Sequence, residues 1–158
     1  MTQHHIEKSA QEGTVISVFL FDIDNFKHYN DTNGHDAGDK LLIELSHLIS
    51  GAREKESIVA RYGGEEFIIM FPGTSKRDAF LYAERLREKI AQHPFRHREK
   101  QPLGFVSISG GVATFPEDGD SMSKVIQHAD MSLYRAKSEG RNRVSVHEAQ
   151  QLKGIYAT

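Results

Sequence analysis

Apolar positions recur along the chain with two different periods, and the changes of period mark out the elements. Thr14 to Phe21 reads TVISVFLF, β-branched and aromatic with almost no polar interruption. That pattern predicts a strand buried on both faces of a sheet, stopping at Asp22. From His35 to Ser50 the residues Ala37, Leu41, Leu45, Leu48 and Ile49 form one helical stripe, and Gly51 supplies the stop. Ile58 to Tyr62 and Glu65 to Phe71 are two strand-like runs separated by Gly63-Gly64. A hairpin is predicted there, with a type I′ turn that needs positive φ at both glycines. Ser75 and Asp78 open a helix whose buried face is Ala79, Ala83, Leu86 and Ile90 and which ends before Pro94. Phe105 to Phe115 predicts a strand pair or one bent strand, with Gly110-Gly111 as a turn or bulge. Met122, Val125, Ile126, Ala129, Leu133 and Ala136 line a last helix closed by Gly140, and Asn142 to His147 is a short final strand.

Strands that alternate with helices but include a tight hairpin predict an α/β or α+β sandwich, a mixed and mainly antiparallel sheet with helices packed on it. Its expected extent is residues 14–150, between tails at 1–13 and 151–158. Composition narrows the function. With 20 Lys+Arg against 22 Asp+Glu the net charge is −2, so the chain has no electrostatic footprint for nucleic acid, and a phosphate-bearing partner must be held locally. Hydrophobic residues at 38% suit a packed core. Zero cysteines exclude a disulfide framework and thiolate chemistry. No apolar run reaches the length of a membrane span or signal peptide, so direct membrane contact is not expected and a cytoplasmic location is.

Two places set acids against apolar runs. Asp22-Ile-Asp24 ends the first strand, and Glu65-Glu66 follows the glycines of the hairpin. An unpartnered buried carboxylate costs roughly several kcal/mol, so these acids imply a cation or donors nearby. Mg²⁺, which takes one or two carboxylates with phosphate oxygens and waters, answers that need. The alternative is that they are solvent-facing turn residues, with Asp24 capping a short helix from Asn25 to Tyr29. The polar segment that begins at Asn25 offers a helix start to phosphate, with Lys27 in reach. An EF-hand register fails because counting back from Gly34 puts Tyr29 first, and no GxxxxGK[ST] occurs. His93 and His97 are four apart, but Pro94 breaks the helix that a zinc pair would need. Lys137 and Arg141 either complement a helix dipole or hold phosphate.

Taken in order, Asp22-Ile23-Asp24-Asn25-Phe26-Lys27, Asn30-Asp31, Gly34-His35, Gly38-Asp39, Arg61-Tyr62-Gly63-Gly64-Glu65-Glu66-Phe67, Asp130 to Lys137 and Gly140-Arg141-Asn142-Arg143 closely resemble the GGDEF-domain family, the diguanylate cyclases, with GGEEF as the signature. The resemblance runs from about Val15 to Val146. It implies a fold like the nucleotidyl-cyclase core and polymerase palm, and condensation of two GTP into cyclic di-GMP with loss of pyrophosphate across a homodimer. It further implies Mg²⁺ or Mn²⁺, two ions per half-site, held by Asp22, the Ile23 carbonyl, Glu65 and Glu66. Glu65 would be the metal ligand paired with Asp22 and the first candidate to accept the proton, with Glu66 close beside it, and Lys27 would stabilise developing phosphate charge. Asn25 and Phe26 would cradle the triphosphate, Asn30 and Asp39 would read guanine, His35 would line the pocket, and Lys137 with Arg141 would hold the terminal phosphate.

Two departures stand out. Many family members carry an RxxD product-inhibition motif nine and six positions before the first glycine, where this chain has Glu54 and Ser57. Weak feedback by cyclic di-GMP is therefore expected. The family's helix with a D-x-L-T-x-L-x-N-R-R stretch has no counterpart in residues 1–13, which suits either a catalytic piece of a longer sensor protein or a diverged amino-terminal element. The competing readings are a catalytically silent module that binds GTP or cyclic di-GMP, and a cyclase with another cyclic product.

Overall fold

Every position of strand β1 (Ile16–Ile23) is buried, and the strand runs through the middle of a five-stranded sheet in the computed structural model, which describes residues 14–54 and 56–148. The tails expected at 1–13 and 151–158 lie outside the described residues. The other strands are β2 (Ile58–Arg61), β3 (Glu66–Pro72), β4 (Ile108–Phe115) and β5 (Val144–Val146), in the order β2-β3-β1-β4-β5. β1 is antiparallel to both neighbours, β2 is antiparallel to β3, and only β4 and β5 run parallel. Helices α1 (Phe26–Asn33), α2 (His35–Gly51) and α3 (Lys76–Gln92) pack on one face, and α4 (Met122–Ser138) covers the other.

The two-residue period of β1 explains both layers. Phe19 and Phe21 point into a core shared with Leu45, Phe67, Leu86 and Ile90, while Val18 and Leu20 join Ile68, Ala113, Val125, Ala129 and Leu133 under α4. With both faces covered, β1 has no polar face to show, hence the unbroken apolar run. The mixed, mainly antiparallel sandwich expected from the sequence is thus present.

Several local expectations are corrected. β1 extends through Asp22 and Ile23 rather than stopping at Phe21, because Asp22 pairs with Glu66 and Ser109 and Ile23 with Ile108. Gly110 and Gly111 are neither turn nor bulge, since β4 is one continuous strand in register with β1. They are glycines because both faces are approached: a Cβ on Gly110 would lie 2.8 Å from the Phe21 Cβ, and one on Gly111 2.6 Å from the Leu133 nitrogen. The hairpin turn is not type I′, because neither Gly63 nor Gly64 has positive φ and the connection is longer, with the Tyr62 N–H donating to the Glu66 carbonyl at 2.9 Å. Asp24 caps no helix; Asn25, at φ 55°, is the residue before α1. The final strand shrinks to three residues. The Ser75 cap of α3 is present, its hydroxyl accepting from the Asp78 N–H at 3.2 Å.

Candidate functional site

The ends of β1 and β3 bring two acids together. Asp22 and Glu66 are direct partners in the antiparallel ladder, so their side chains leave the same face of the sheet. Lys137, in the last turn of α4, reaches the same place and donates to Asp22 Oδ2 at 2.5 Å. Burial pushes the Asp22 carboxyl up to about 6, the Lys137 hydrogen bond and charge oppose that rise, and the Asp24 and Glu66 charges add to it. Asp22 Oδ1 is buried without a hydrogen-bond partner.

A partnerless carboxylate oxygen beside a second acid fits a hard divalent cation. Among the described residues no three His, Cys, Asp or Glu side chains converge as a ready ligand set. A cation at Asp22 would therefore fill its shell from the Ile23 carbonyl, phosphate oxygens and water, as Mg²⁺ does. Of the histidine pair the sequence offers, His93 is otherwise engaged: its Nε2 lies 3.0 Å from Glu44 Oε1 and its ring stacks edge-on to Phe95.

Beside the acids, the chain leaves β1 through Asn25 and turns into α1, whose first turn has no side-chain cap. The free N–H groups of that turn suit an anion. Lys27 stands at this end with its side chain 89% exposed, paired at 2.7 Å with Asp31 one turn on. Phe26 is half-buried against the core. The α1–α2 corner is made by Gly34 at φ 94°, a left-handed conformation that suits glycine. Just past it, Gly38 is buried against the Asn30 side chain: a Cβ there would lie 2.8 Å from Asn30 Cγ. Asn30 Oδ1 is buried without a partner, while His35 and Asp39 are exposed on the first turns of α2. After α4, Gly140, Arg141 and Asn142 have φ of 125°, 66° and 49°, and the Arg141 N–H caps the helix on the Ala136 carbonyl at 3.0 Å.

The predicted residues thus fall into an acid pair with Lys137, an uncapped helix start with Lys27, and an amide-and-acid corner at Asn30 and Asp39. Glu66, rather than Glu65, is the ladder partner of Asp22, and Glu65 is half-buried one residue earlier in the hairpin connection. At the missing inhibition motif, the Ser57 hydroxyl donates to the Glu54 carbonyl at 2.7 Å and Arg53 Nε donates to the Ser57 carbonyl at 3.0 Å. What the sequence reading missed is the environment of Asp24, enclosed by Ser107 and Ser109. The signal was present as Ser107-Ile108-Ser109, two hydroxyls with the same two-residue spacing as Asp22-Ile23-Asp24.

The family model for the diguanylate cyclase GGDEF domain matches residues 1–143. Diguanylate cyclase A of Treponema denticola is 38% identical over 141 residues, covering 89% of this chain and 38% of that protein. The response regulator PleD of Caulobacter vibrioides is 37% identical over 139 residues, covering 88% of this chain and 31% of that protein. The chain therefore spans about a third of the length of these relatives. Among solved structures, the active GGEEF domain of a diguanylate cyclase from Vibrio cholerae superposes with a TM-score of 0.82 at 31% identity, covering 93% of this chain and 92% of that one. The GGDEF domain of DgcB from Caulobacter crescentus, in complex with c-di-GMP, gives 0.80 at 32% identity, with 92% and 85% covered. On the family match, the relatives and the fold together, the chain belongs to the diguanylate cyclase GGDEF-domain family.

Proposed function

We propose that this domain condenses two GTP into cyclic di-GMP with release of pyrophosphate, as one half of a homodimer. The observation that carries the reading is the Asp22 and Glu66 pair, opposed across β1 and β3, with a partnerless oxygen on Asp22 and Lys137 alongside. Asp22, the Ile23 carbonyl, Glu65 and Glu66 would hold the cation. When bound, Mg²⁺ or Mn²⁺, two ions per half-site, neutralises triphosphate charge and polarises the α-phosphate.

The chain's own groups do the rest. Asn25, Phe26 and the open first turn of α1 take the phosphates, with Lys27 adding positive charge. Lys137 and Arg141 hold the terminal phosphate, and Lys137 would exchange its bond to Asp22 for one to the anion. Asn30 and Asp39 read the guanine edge, Asp39 by accepting from its N1–H and exocyclic amine, a donor pair adenine lacks; His35 borders that pocket. Glu65 and Glu66 stand by the reacting centre to accept the proton of the 3′-hydroxyl that attacks the other nucleotide's α-phosphate. Each domain brings one nucleotide, so a second copy must face it. A sensor or other input domain in a longer protein would bring the two copies together, in the cytoplasm where GTP is made; a longer DgcB structure joins a GGDEF domain to a coiled coil.

Incubating the purified protein at high concentration with GTP and Mg²⁺, and identifying the product by mass, tests the reading. Cyclic di-GMP is expected, at a rate rising faster than linearly with protein concentration, and abolished by Glu65→Ala. GTP binding without any cyclic product would establish the silent module instead; a mixed product with ATP present would establish the broader cyclase.

A further inference from the structure

Asp24 is the one acid of the β1 end that the proposed chemistry leaves without a task. Only 2% of it is exposed, and unlike Asp22 it has no open oxygen: Oδ1 accepts from the Ser109 hydroxyl at 2.6 Å, and Oδ2 accepts from the Ser107 hydroxyl at 2.7 Å and from the Asn142 N–H at 3.0 Å. Its own N–H donates to the Ser107 carbonyl at 2.9 Å. A buried carboxylate satisfied by hydroxyl and amide donors needs no metal.

Those donors tie together two segments that stand far apart in sequence. One is the connection through Asn25, at φ 55°, into α1; the other is the turn after α4, where Arg141 and Asn142 both take the left-handed conformation. Such a conformation is disfavoured for residues with a Cβ and persists where the surroundings over-determine it. Asn142 is pinned at two points, its N–H on Asp24 and its Oδ1 accepting from Arg87 Nη1 at 3.0 Å. Arg141, one residue back, therefore has its backbone direction set by Asp24.

We infer that Asp24 is a positioning residue: by accepting the Asn142 N–H it fixes the Arg141 turn against the Asn25–Lys27 connection, keeping the two sides of the triphosphate cradle at one spacing, and it does this as a hydrogen-bond acceptor and not as a metal ligand. The cradle itself rests on the function proposed above; the tether does not. An asparagine can take over the work, its oxygen accepting from Ser107 and Asn142 while its amide donates to the Ser109 hydroxyl. Alanine cannot.

The test combines amide hydrogen exchange at Asn142 with calorimetric binding of GTP and of GMP, in Mg²⁺. In Asp24→Ala, exchange at Asn142 rises at least about tenfold and GTP affinity falls about tenfold, while GMP, which lacks the β- and γ-phosphates, binds within about twofold of wild type. Asp24→Asn stays within about threefold on all three readouts, whereas Asp22→Asn loses the Mg²⁺-dependent part of GTP binding. Equal losses of GTP and GMP would reduce Asp24 to a stability role, and an Asp24→Asn as damaged as Asp22→Asn would make it a metal ligand; either overturns the inference, as does unchanged Asn142 exchange in Asp24→Ala. Should the alanine variant fail to fold, the contrast between the two asparagine variants decides. A wild type that binds GTP but forms no cyclic di-GMP removes the cyclase reading and leaves these binding arms intact; one that binds no GTP leaves the exchange arm to decide.

Discussion

Replacing Gly111 by alanine should unseat α4. β4 is buried at all eight positions, and Gly111 faces α4 so closely that a Cβ would lie 2.6 Å from the Leu133 nitrogen, 2.7 Å from the Ser132 Cβ and closer still to the Ala129 carbonyl oxygen. Two of these atoms are backbone, so no rotamer change relieves the clash. Restoring ordinary contact of about 3.4 Å requires α4 to lift by about 0.8 Å from the Leu133 nitrogen alone, and by more to clear the nearer Ala129 carbonyl oxygen. A gap of that size forfeits roughly a quarter to a half of each dispersion contact beneath the helix, which includes Val125, Ala129 and Leu133. Overpacking of this kind costs about 1–3 kcal/mol. The smaller unfolded-state entropy of alanine returns about 0.4–1 kcal/mol, leaving a net loss of about 1–2 kcal/mol. Urea unfolding measures it: with a slope of about 1–3 kcal/mol per molar for a small domain, the midpoint should fall by roughly 0.5–1 M. Gly51→Ala is the control, since nothing lies within 4 Å of a Cβ there, and it should be neutral or stabilising. A Gly111→Ala midpoint equal to or above wild type would refute the close-approach account.

Asp22 sits near 6 against 3.8 unfolded, so the metal-free protein should gain up to about 3 kcal/mol at this group as pH falls from 7 through 6 toward 4. The difference in Tm between wild type and Asp22→Asn at pH 7.5 and pH 5 reads it; a difference that does not change with pH contradicts it, and added Mg²⁺ should instead stabilise most above pH 6. Gly38→Ala should weaken GTP binding by about tenfold by displacing the Asn30 side chain, and calorimetry showing wild-type affinity would count against it. Asp39→Ala should cut the preference for GTP over ATP by about a hundredfold, since a site built to bond specific donors rejects analogues lacking them; competition binding measures it. Cyclic di-GMP at micromolar concentration should leave initial rates unchanged, because an acid, Glu54, stands where the family's inhibition motif has arginine.

Periodicity located the elements, because the apolar stripes of α2, α3 and α4 and the unbroken run of β1 record which faces are covered. It failed where the cause lies far along the chain. Asp22 looked like the end of a strand, yet it stays in the sheet because Lys137, 115 positions away, meets its charge. Gly110-Gly111 looked like a turn because nothing local announces the approach of α4 on one side and of Phe19 and Phe21 on the other. The order of motifs singles out the acids, Asn30, Asp39 and Lys137 as candidates. It could not say that Glu66, more than Glu65, would face Asp22, since that depends on the register between β1 and β3.

The central place of β1 also bears on how the chain reaches its fold. β1, the first of the described strands to be made, is flanked by two that come much later, β3 and then β4, and its partners in β4 lie between Ile108 and Phe115. During synthesis at about 5–20 residues per second, β1 waits on the order of 5–20 s for its second neighbour. For that interval ISVFLFDI is an apolar segment with an unpaired edge, the kind that seeds association between nascent chains. A truncation that removes β4 should therefore yield an insoluble product, even though every acid of the β1 and β3 ends would still be present in it.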